Sequence, residues 1–163
     1  MGHNITALIV AEPFDEAVAR EWGVTGEPLG HGIRLVHLNA AYTTYQQHQR
    51  RAGTALEAPE DFPPVFPREG VIADLAAALT ARRPPAFALI MTDYFGGTGS
   101  QWATAWSDGH RHPEVRDVNS ALRALGVQRT RGRDEFDTVG LADHRRTPEA
   151  LEEYWDLCEK LGI

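Results

Sequence analysis

The sequence predicts an α+β protein with a mixed or largely antiparallel sheet of about four strands and helices packed on one face. Three observations support that prediction. A mostly apolar run over 4–12 has the length of a buried strand, and a second strand-like run over 87–95 is joined by a glycine-rich turn to residues 100–107, which alternate in polarity. Residues 68–82 carry apolar side chains at helical spacing. One strand pair is therefore expected to be a hairpin, with helices between the other strands.

The first part of the chain alternates strands with helices. Asp15 is a residue type that caps helices, which favours a helix start there. Four glycines and a proline between 23 and 32 favour a loop. The predicted elements, in order, are a strand over 4–12, a short helix over 15–22, a loop over 23–32, a strand over 33–38, and an ambiguous segment over 39–51 whose aromatic spacing suits a helix.

The rest of the chain supplies the hairpin and most of the helices. Prolines interrupt the first connection, Asp117 favours a helix start, and Thr147 with Pro148 has the pattern of a helix cap and first helical position. The predicted elements are an irregular connection over 52–67, a helix over 68–82, hairpin strands over 87–95 and 100–107, a helix over 118–125, an irregular segment over 134–146, and a last helix with Leu151, Tyr154, Trp155, Cys158 and Leu161 facing the core.

Length and composition are those of one globular domain, predicted to span 1–163. The chain has a mass of 18.0 kDa with 42% apolar and 24% charged residues, so it can bury a core without metals or disulfides. The single cysteine, Cys158, excludes an internal disulfide framework and a cysteine-based zinc site. We expect no cofactor.

The charge constrains the class of partner. Sixteen basic against twenty-three acidic residues give a net charge of −7, which disfavours binding to nucleic acid because that requires a basic face. Lys160 is the only lysine among many arginines, a bias typical of high-GC bacterial genes. The apolar stretch over 5–11 is too short to span a membrane, so a cytoplasmic protein without a membrane partner is expected.

The glycine-rich turn is the first candidate site. Successive backbone N–H groups of Gly96, Gly97 and Gly99, with the hydroxyls of Thr98 and Ser100, would suit an anionic ligand. The alternative is a hairpin turn that needs glycine for its backbone conformation. The polar residues flanking the turn are the candidates for catalysis, with an aspartate as possible general base. These candidates are Asp93, Tyr94 and Gln101.

Two further clusters have structural alternatives. His110 and His112 would share a strand face and are candidates for a metal site, while Asp-Gly before them and Pro113 after them favour an exposed loop. The carboxylates over 134–137 and 143 resemble an acid–base pair or a cation site, but neighbouring arginines favour local ion pairs instead. No metal site is therefore predicted.

Aromatic residues are the candidates for partner binding. Trp102 and Trp106 alternate on one strand face, and Tyr42 and Tyr45 lie in the segment predicted to flank it. They form either a partner groove or part of the core.

Three segments carry a resemblance to known sequences: DYFGGTGSQWATAW over 93–106, NSALRALGV over 119–127, and DEFDTVGLADHR over 134–145. Together they resemble a small bacterial protein family of unknown function. That resemblance implies an accessory protein and carries over no functional residue.

The functional expectation is a small acidic protein-binding module, similar in role to inhibitors and immunity proteins. Acidic surfaces attract basic partners, and no complete catalytic set is present in the sequence. The alternative is a small enzyme or small-molecule-binding domain with its pocket at the Gly96–Gly99 loop. A self-associating subunit is the third interpretation.

Overall fold

The computed structural model describes residues 2–163, and within that range the strands form one antiparallel sheet in the order β2-β3-β1-β4-β5-β6. The strands are β1 (His3–Ala11), β2 (Gly26–Pro28), β3 (Ile33–His37), β4 (Phe87–Phe95), β5 (Thr98–Ser107) and β6 (His110–Arg111). The helices are α1 (Glu16–Glu21), α2 (Ala40–Gln49), α3 (Val71–Thr80), α4 (Val118–Ala124), α5 (Glu135–Thr138) and α6 (Glu153–Leu161). The predicted α+β class is confirmed, with two short strands more than expected.

The two central strands are apolar on both sides. In β1, Leu8 points to one face of the sheet and Ile9 to the other, and in β4 Leu89 and Ile90 do the same. All four side chains are fully buried. We call the face that carries Leu8 and Leu89 the first face, and the opposite one the second face.

Helices cover both faces, so the prediction of helices on one face is wrong. The core of the first face includes residues of α1, α2, α3 and α6, while α4 and the segment after it supply the core of the second face. Val118, Ala121 and Leu122 of α4 pack against Ala103 and the other small or branched residues of the second face. Because an apolar surface on either side must be buried, a sheet with two apolar faces needs two covering layers.

Helix starts follow the capping residues of the sequence. The side chain of Asp15 accepts hydrogen bonds from the first turn of α1, Asn39 caps α2, and Asp117 forms a capping box with Ser120 in α4. The ambiguous segment over 39–51 is therefore a helix.

The end of the chain differs from its prediction. Pro148 precedes a 3₁₀ turn over 149–152, and α6 begins only at Glu153. Tyr154 and Cys158 are buried as expected, but Trp155 is 52% exposed and Leu161 is 43% exposed. These two side chains do not face the core, because α6 buries only one stripe of residues.

The β4–β5 turn is a two-residue hairpin. Gly96 and Gly97 have φ values of 62° and 82°, the left-handed pair that matches the twist of antiparallel strands. No helix within residues 2–163 is long and apolar enough to cross a membrane.

Candidate functional site

Strand alternation separates the three residues predicted to flank the glycine turn. Asp93 points to the first face of the sheet, whereas Tyr94 and Gln101 both point to the second. The Nε2 of Gln101 donates a hydrogen bond of 2.8 Å to the Tyr94 hydroxyl oxygen. The structure therefore brings Tyr94 and Gln101 together and places Asp93 in a different cleft.

Tyr94 and Gln101 line a cavity of about 270 Å³ on the second face, between the hairpin, the start of β1 and the α4–α5 layer. We call it the polar cavity. Its lining residues are His3, Thr92, Tyr94, Gln101, Val118, Asn119, Asp134 and Phe136.

The floor of the polar cavity is a closed hydrogen-bond chain around His3. The Nδ1 of His3 lies 2.8 Å from the Thr92 hydroxyl oxygen, and its Nε2 lies 3.1 Å from the Leu141 carbonyl oxygen. The Thr92 hydroxyl also accepts the backbone N–H of Ile5. Since a carbonyl only accepts, His3 donates from Nε2 and accepts at Nδ1, which is the pattern of a neutral imidazole. Burial lowers the pKa of His3, which also favours the neutral form. His3 is thus held as a neutral structural side chain.

The wall and mouth of the polar cavity are also held by side-chain hydrogen bonds. The Oε1 of Gln101 accepts the Val118 N–H at 2.7 Å, which fixes the hairpin to the start of α4. The Nδ2 of Asn119 donates to Asp134 Oδ2 at 3.2 Å, and Asn119 Oδ1 accepts the Phe136 N–H at 2.9 Å. The walls are half-buried and the Asp134 carboxylate is exposed at the mouth. This arrangement can present a carboxylate and a phenol to a ligand beside an aromatic ring.

A second cleft of about 320 Å³ lies on the first face, between β1, β4, β5, the connection after α2 and the helix α6. We call it the aromatic cleft. It includes Asp93, Met91 and the half-buried Trp102, and its flanks are Val65 and Trp155. Val65 is 62% exposed and Trp155 is 52% exposed, so two large apolar side chains of the cleft are open to solvent beside polar lining residues such as Asn4, Asn39 and Thr147.

The four aromatic residues predicted to bind a partner have different environments. Trp106 is buried and stacks on Phe87 at a centroid distance of 4.9 Å, and the buried Tyr42 donates from its hydroxyl to the Trp22 carbonyl. Trp106 and Tyr42 therefore belong to the core and are not reachable by a partner. Tyr45 is half-buried against Tyr154, and Trp102 lines the aromatic cleft.

The residues of the predicted anion site are exposed at the hairpin tip. A Cβ on Gly96 or Gly97 would meet no atom within 4 Å, so these residues project into solvent. Gly99 is needed for a different reason, because a Cβ there would overlap the Asp93 carbonyl oxygen. None of residues 96–100 lines the polar cavity or the aromatic cleft. Ligand binding by Gly96, Gly97, Thr98, Gly99 and Ser100 stays a prediction.

The two histidines considered for a metal have separate surroundings. His110 is exposed, whereas the half-buried His112 lies 2.7 Å from the Ser107 hydroxyl through Nε2 and 3.4 Å from Glu114 through Nδ1. Within residues 2–163, no group of three or more His, Cys, Asp or Glu side chains is placed to hold a metal ion. The Glu114 contact is longer than a good hydrogen bond and its carboxylate is 69% exposed. This contact orients the His112 ring only weakly, so the Ser107–His112 bond fits a role in closing the β5–β6 turn.

The acidic tract over 134–137 is divided between two roles. Glu135 is buried and pairs at 3.0 Å with Arg123 of α4, which lies outside the tract, and the described residues show no ion pair of Asp134, Asp137 or Asp143 with a neighbouring arginine. Asp134 caps α5 through Oδ1 and lines the polar cavity. Asn119 and Phe136 were not predicted as site residues. Each lies two residues after an aspartate that caps a helix, Asp117 for α4 and Asp134 for α5, and these caps are the sequence signal that could have located them.

Comparison with known proteins identifies no relative of this chain. No family model matches the chain, and neither a curated protein nor a solved structure does. The functional conclusion therefore rests on the two clefts.

Proposed function

We propose that this chain is a protein-binding module whose aromatic cleft takes an apolar side chain from a basic segment of another protein. The observation that carries the proposal is the exposure of Trp155 and Val65 in a cleft that also contains Trp102. Contiguous exposed apolar surface of this kind is typical of interaction sites, and a tryptophan in a pocket is a frequent binding hot spot.

The surrounding charge supports a basic partner. Asp93 lines the cleft, and Glu152 and Glu159 lie three and four residues from Trp155, which places them on the same side of the helical segment. Glu152 and Glu159 are exposed, and the whole chain carries a net charge of −7. The backbone of Arg145 and Arg146 lies beside Asn4, which brings two basic residues to this end of the molecule. The three acidic groups outnumber them, so the cleft attracts lysine- or arginine-rich segments.

Matched variants test the proposal. Trp155→Ala and Val65→Ser change exposed side chains of the cleft, and Leu161→Ser changes an equally apolar exposed position of α6 that does not line it. The wild type and each variant would be used to capture proteins from the native source, followed by mass spectrometry. We expect a partner with a basic segment that Trp155→Ala and Val65→Ser lose and Leu161→Ser retains.

A defined peptide pair makes the test quantitative. One peptide carries a leucine flanked by arginines and the other carries the same leucine flanked by glutamates. Tryptophan fluorescence should report binding of the basic peptide only, and Trp155→Ala should weaken it at least about tenfold, as expected for a hot-spot residue. Equal binding of both peptides, or unchanged binding by Trp155→Ala, would contradict the proposal.

The oligomeric state is measured in parallel by sedimentation. A concentration-dependent dimer that Trp155→Ala abolishes would assign the cleft to a second copy of the chain and overturn the proposal of a different partner. A monomer at all concentrations leaves the cleft open to that partner.

A further inference from the structure

We propose that the polar cavity is a second binding site, for a small planar ring that carries an amidine or amino group. It lies on the second face of the sheet and the aromatic cleft on the first, so the inference does not depend on the proposed protein-binding function. Its basis is the convergence of an aromatic ring, a phenol and a carboxylate on one half-open cavity.

The size of the cavity limits the ligand. About 270 Å³ lies at the lower end of small-molecule sites, which suits one ring or two fused rings rather than a nucleotide or a peptide. The half-buried Phe136 ring forms part of the wall and is held at its edge by His3, at a centroid distance of 5.2 Å. A planar ligand can stack on the free surface of this fixed ring.

The hydrogen-bonding capacity of the lining sets the polarity of the ligand. His3 and Thr92 use their polar atoms on one another and on the backbone, so the floor offers nothing further. The Tyr94 hydroxyl accepts from Gln101, and among residues 2–163 its own proton has no acceptor. Asp134 Oδ2 receives one hydrogen bond from Asn119, and a carboxylate oxygen can accept a second. The cavity therefore offers an acceptor at its mouth and a donor on its wall.

The charge of Asp134 decides between ligands of the same shape. Within residues 2–163, Asp134 takes part in no ion pair, so its carboxylate at the mouth has no cation in direct contact, while the Arg145 charge acts on His3 at the floor. The Arg123 guanidinium in this layer is already paired with Glu135, at 3.0 Å, and not with Asp134. A cationic or amino-bearing ring gains a charge-assisted hydrogen bond at the mouth, and an anion of equal size is repelled.

Benzamidine and benzoate are the probes, because they have nearly the same shape and opposite charges. Titration of ¹⁵N-labelled protein should show benzamidine shifting the Gln101 side-chain amide and the backbone amides of Val118 and Phe136. A dissociation constant on the order of 1 mM is expected for a ligand of this size. Benzoate should cause no shift at these groups.

Three variants locate the interaction. Asp134→Asn removes the charge but keeps a side chain that also caps α5, and it should weaken benzamidine binding at least about tenfold. Tyr94→Phe keeps the ring and removes the donor, with an expected loss of about two- to fivefold. The control is Asp137→Asn, which removes an exposed charge from the same helix outside the cavity and should stay within about twofold of the wild type.

Circular dichroism of each variant shows whether the fold is retained, and Tyr94→Phe serves as the second test if Asp134→Asn does not fold. Equal affinity for benzamidine and benzoate would overturn the proposal. So would an absence of shifts at Gln101, Val118 and Phe136, or equal effects of Asp134→Asn and Asp137→Asn. These outcomes leave the aromatic cleft unaffected, so failure of one proposal is distinguishable from failure of the other.

Discussion

Gln101 bonds to two structural units at once: its Nε2 donates to the Tyr94 hydroxyl, and its Oε1 accepts the Val118 N–H at 2.7 Å. One amide thus ties the β4–β5 hairpin to the first residue of α4. Val118 is buried at the wall of the polar cavity, so removing that bond leaves its N–H without a protein acceptor. This contact holds the covering layer of the second face in register with the hairpin.

Replacing Gln101 with leucine should therefore destabilise the protein. The variant loses both hydrogen bonds and leaves the Val118 N–H unsatisfied, which costs about 1–3 kcal/mol. Urea denaturation gives the free energy of unfolding. Ser100→Ala, an exposed change one residue earlier in the same strand, should fall within about 0.5 kcal/mol of the wild type. Equal effects of the two changes would show that the Gln101 bonds carry no stability.

Two buried threonines on neighbouring strands, Thr92 and Thr104, should differ in how replacement by valine changes the free energy of unfolding. The Thr92 hydroxyl bonds to His3 and to the Ile5 N–H, whereas the Thr104 hydroxyl is buried without a partner among residues 2–163. Thr92→Val should cost about 1–3 kcal/mol, because it leaves the Nδ1 of the buried His3 without its hydrogen-bond donor. Thr104→Val should be neutral or stabilise by up to about 1 kcal/mol, because an unpaired hydroxyl leaves the core.

Thermal and urea unfolding of both valine variants measure this difference directly. Thr104→Val that is as destabilising as Thr92→Val would contradict the assignment of an unpaired hydroxyl.

Burial of His3 makes stability depend on pH. Its pKa is lowered from the ordinary value of 6.5 mainly by burial, so the unfolded chain takes up a proton more readily than the folded protein. The contribution of His3 is therefore complete above about pH 6.5 and is lost as the pH falls toward the lower folded pKa. His3→Gln should show a flatter decline in the free energy of unfolding between about pH 7 and 5.

His37 gives a second test of the same effect. Burial lowers its pKa, and the neighbouring His144 lowers it further. His37→Gln should also flatten the decline, and the double variant should flatten it more than either single one. Slopes identical to that of the wild type would show that neither imidazole resists protonation in the folded state.

Substitutions at the hairpin tip should change the free energy of unfolding little where the new residue fits the local backbone, and lower it where the new side chain overlaps the neighbouring strand. Gly96→Asn places a residue that accepts positive φ in open space, so its effect should be within about 0.5 kcal/mol of zero. Gly99→Ala should cost about 1–3 kcal/mol, because its Cβ would displace the Asp93 carbonyl. Urea denaturation checks both values, and equal costs would contradict the different roles assigned to the two glycines.

The long elements were predictable because their signals are local. An apolar run identified β4, alternation identified β5, and Asp15 and Asp117 marked helix starts that the structure confirms. The strands β2 and β6 were missed because they are too short to show a period. Strand β2 has three residues and contains Pro28, and strand β6 has two residues and follows an Asp-Gly turn. Their pairing depends on neighbouring strands that local sequence does not specify.

The two sites were predictable only in part, for a related reason. Period-two alternation already puts Asp93 and Gln101 on different sides of the hairpin, so their separation follows from the sequence. That Asp134 returns to the same space as Tyr94 depends on how α4 and α5 pack over the second face, which is a tertiary contact. The exposure of Trp155 likewise depends on how α6 is rotated against α2, on which it packs.

The two apolar faces of β1 and β4 also limit how this protein can be dissected. Removing α4 and the residues after it would expose Ile9, Ile90 and Ala103 together, and removing α2 and α3 would expose Leu8 and Leu89. Either fragment would carry an uncovered sheet prone to aggregation. The smallest unit that can fold is therefore nearly the whole chain, and its layers are expected to form and melt together.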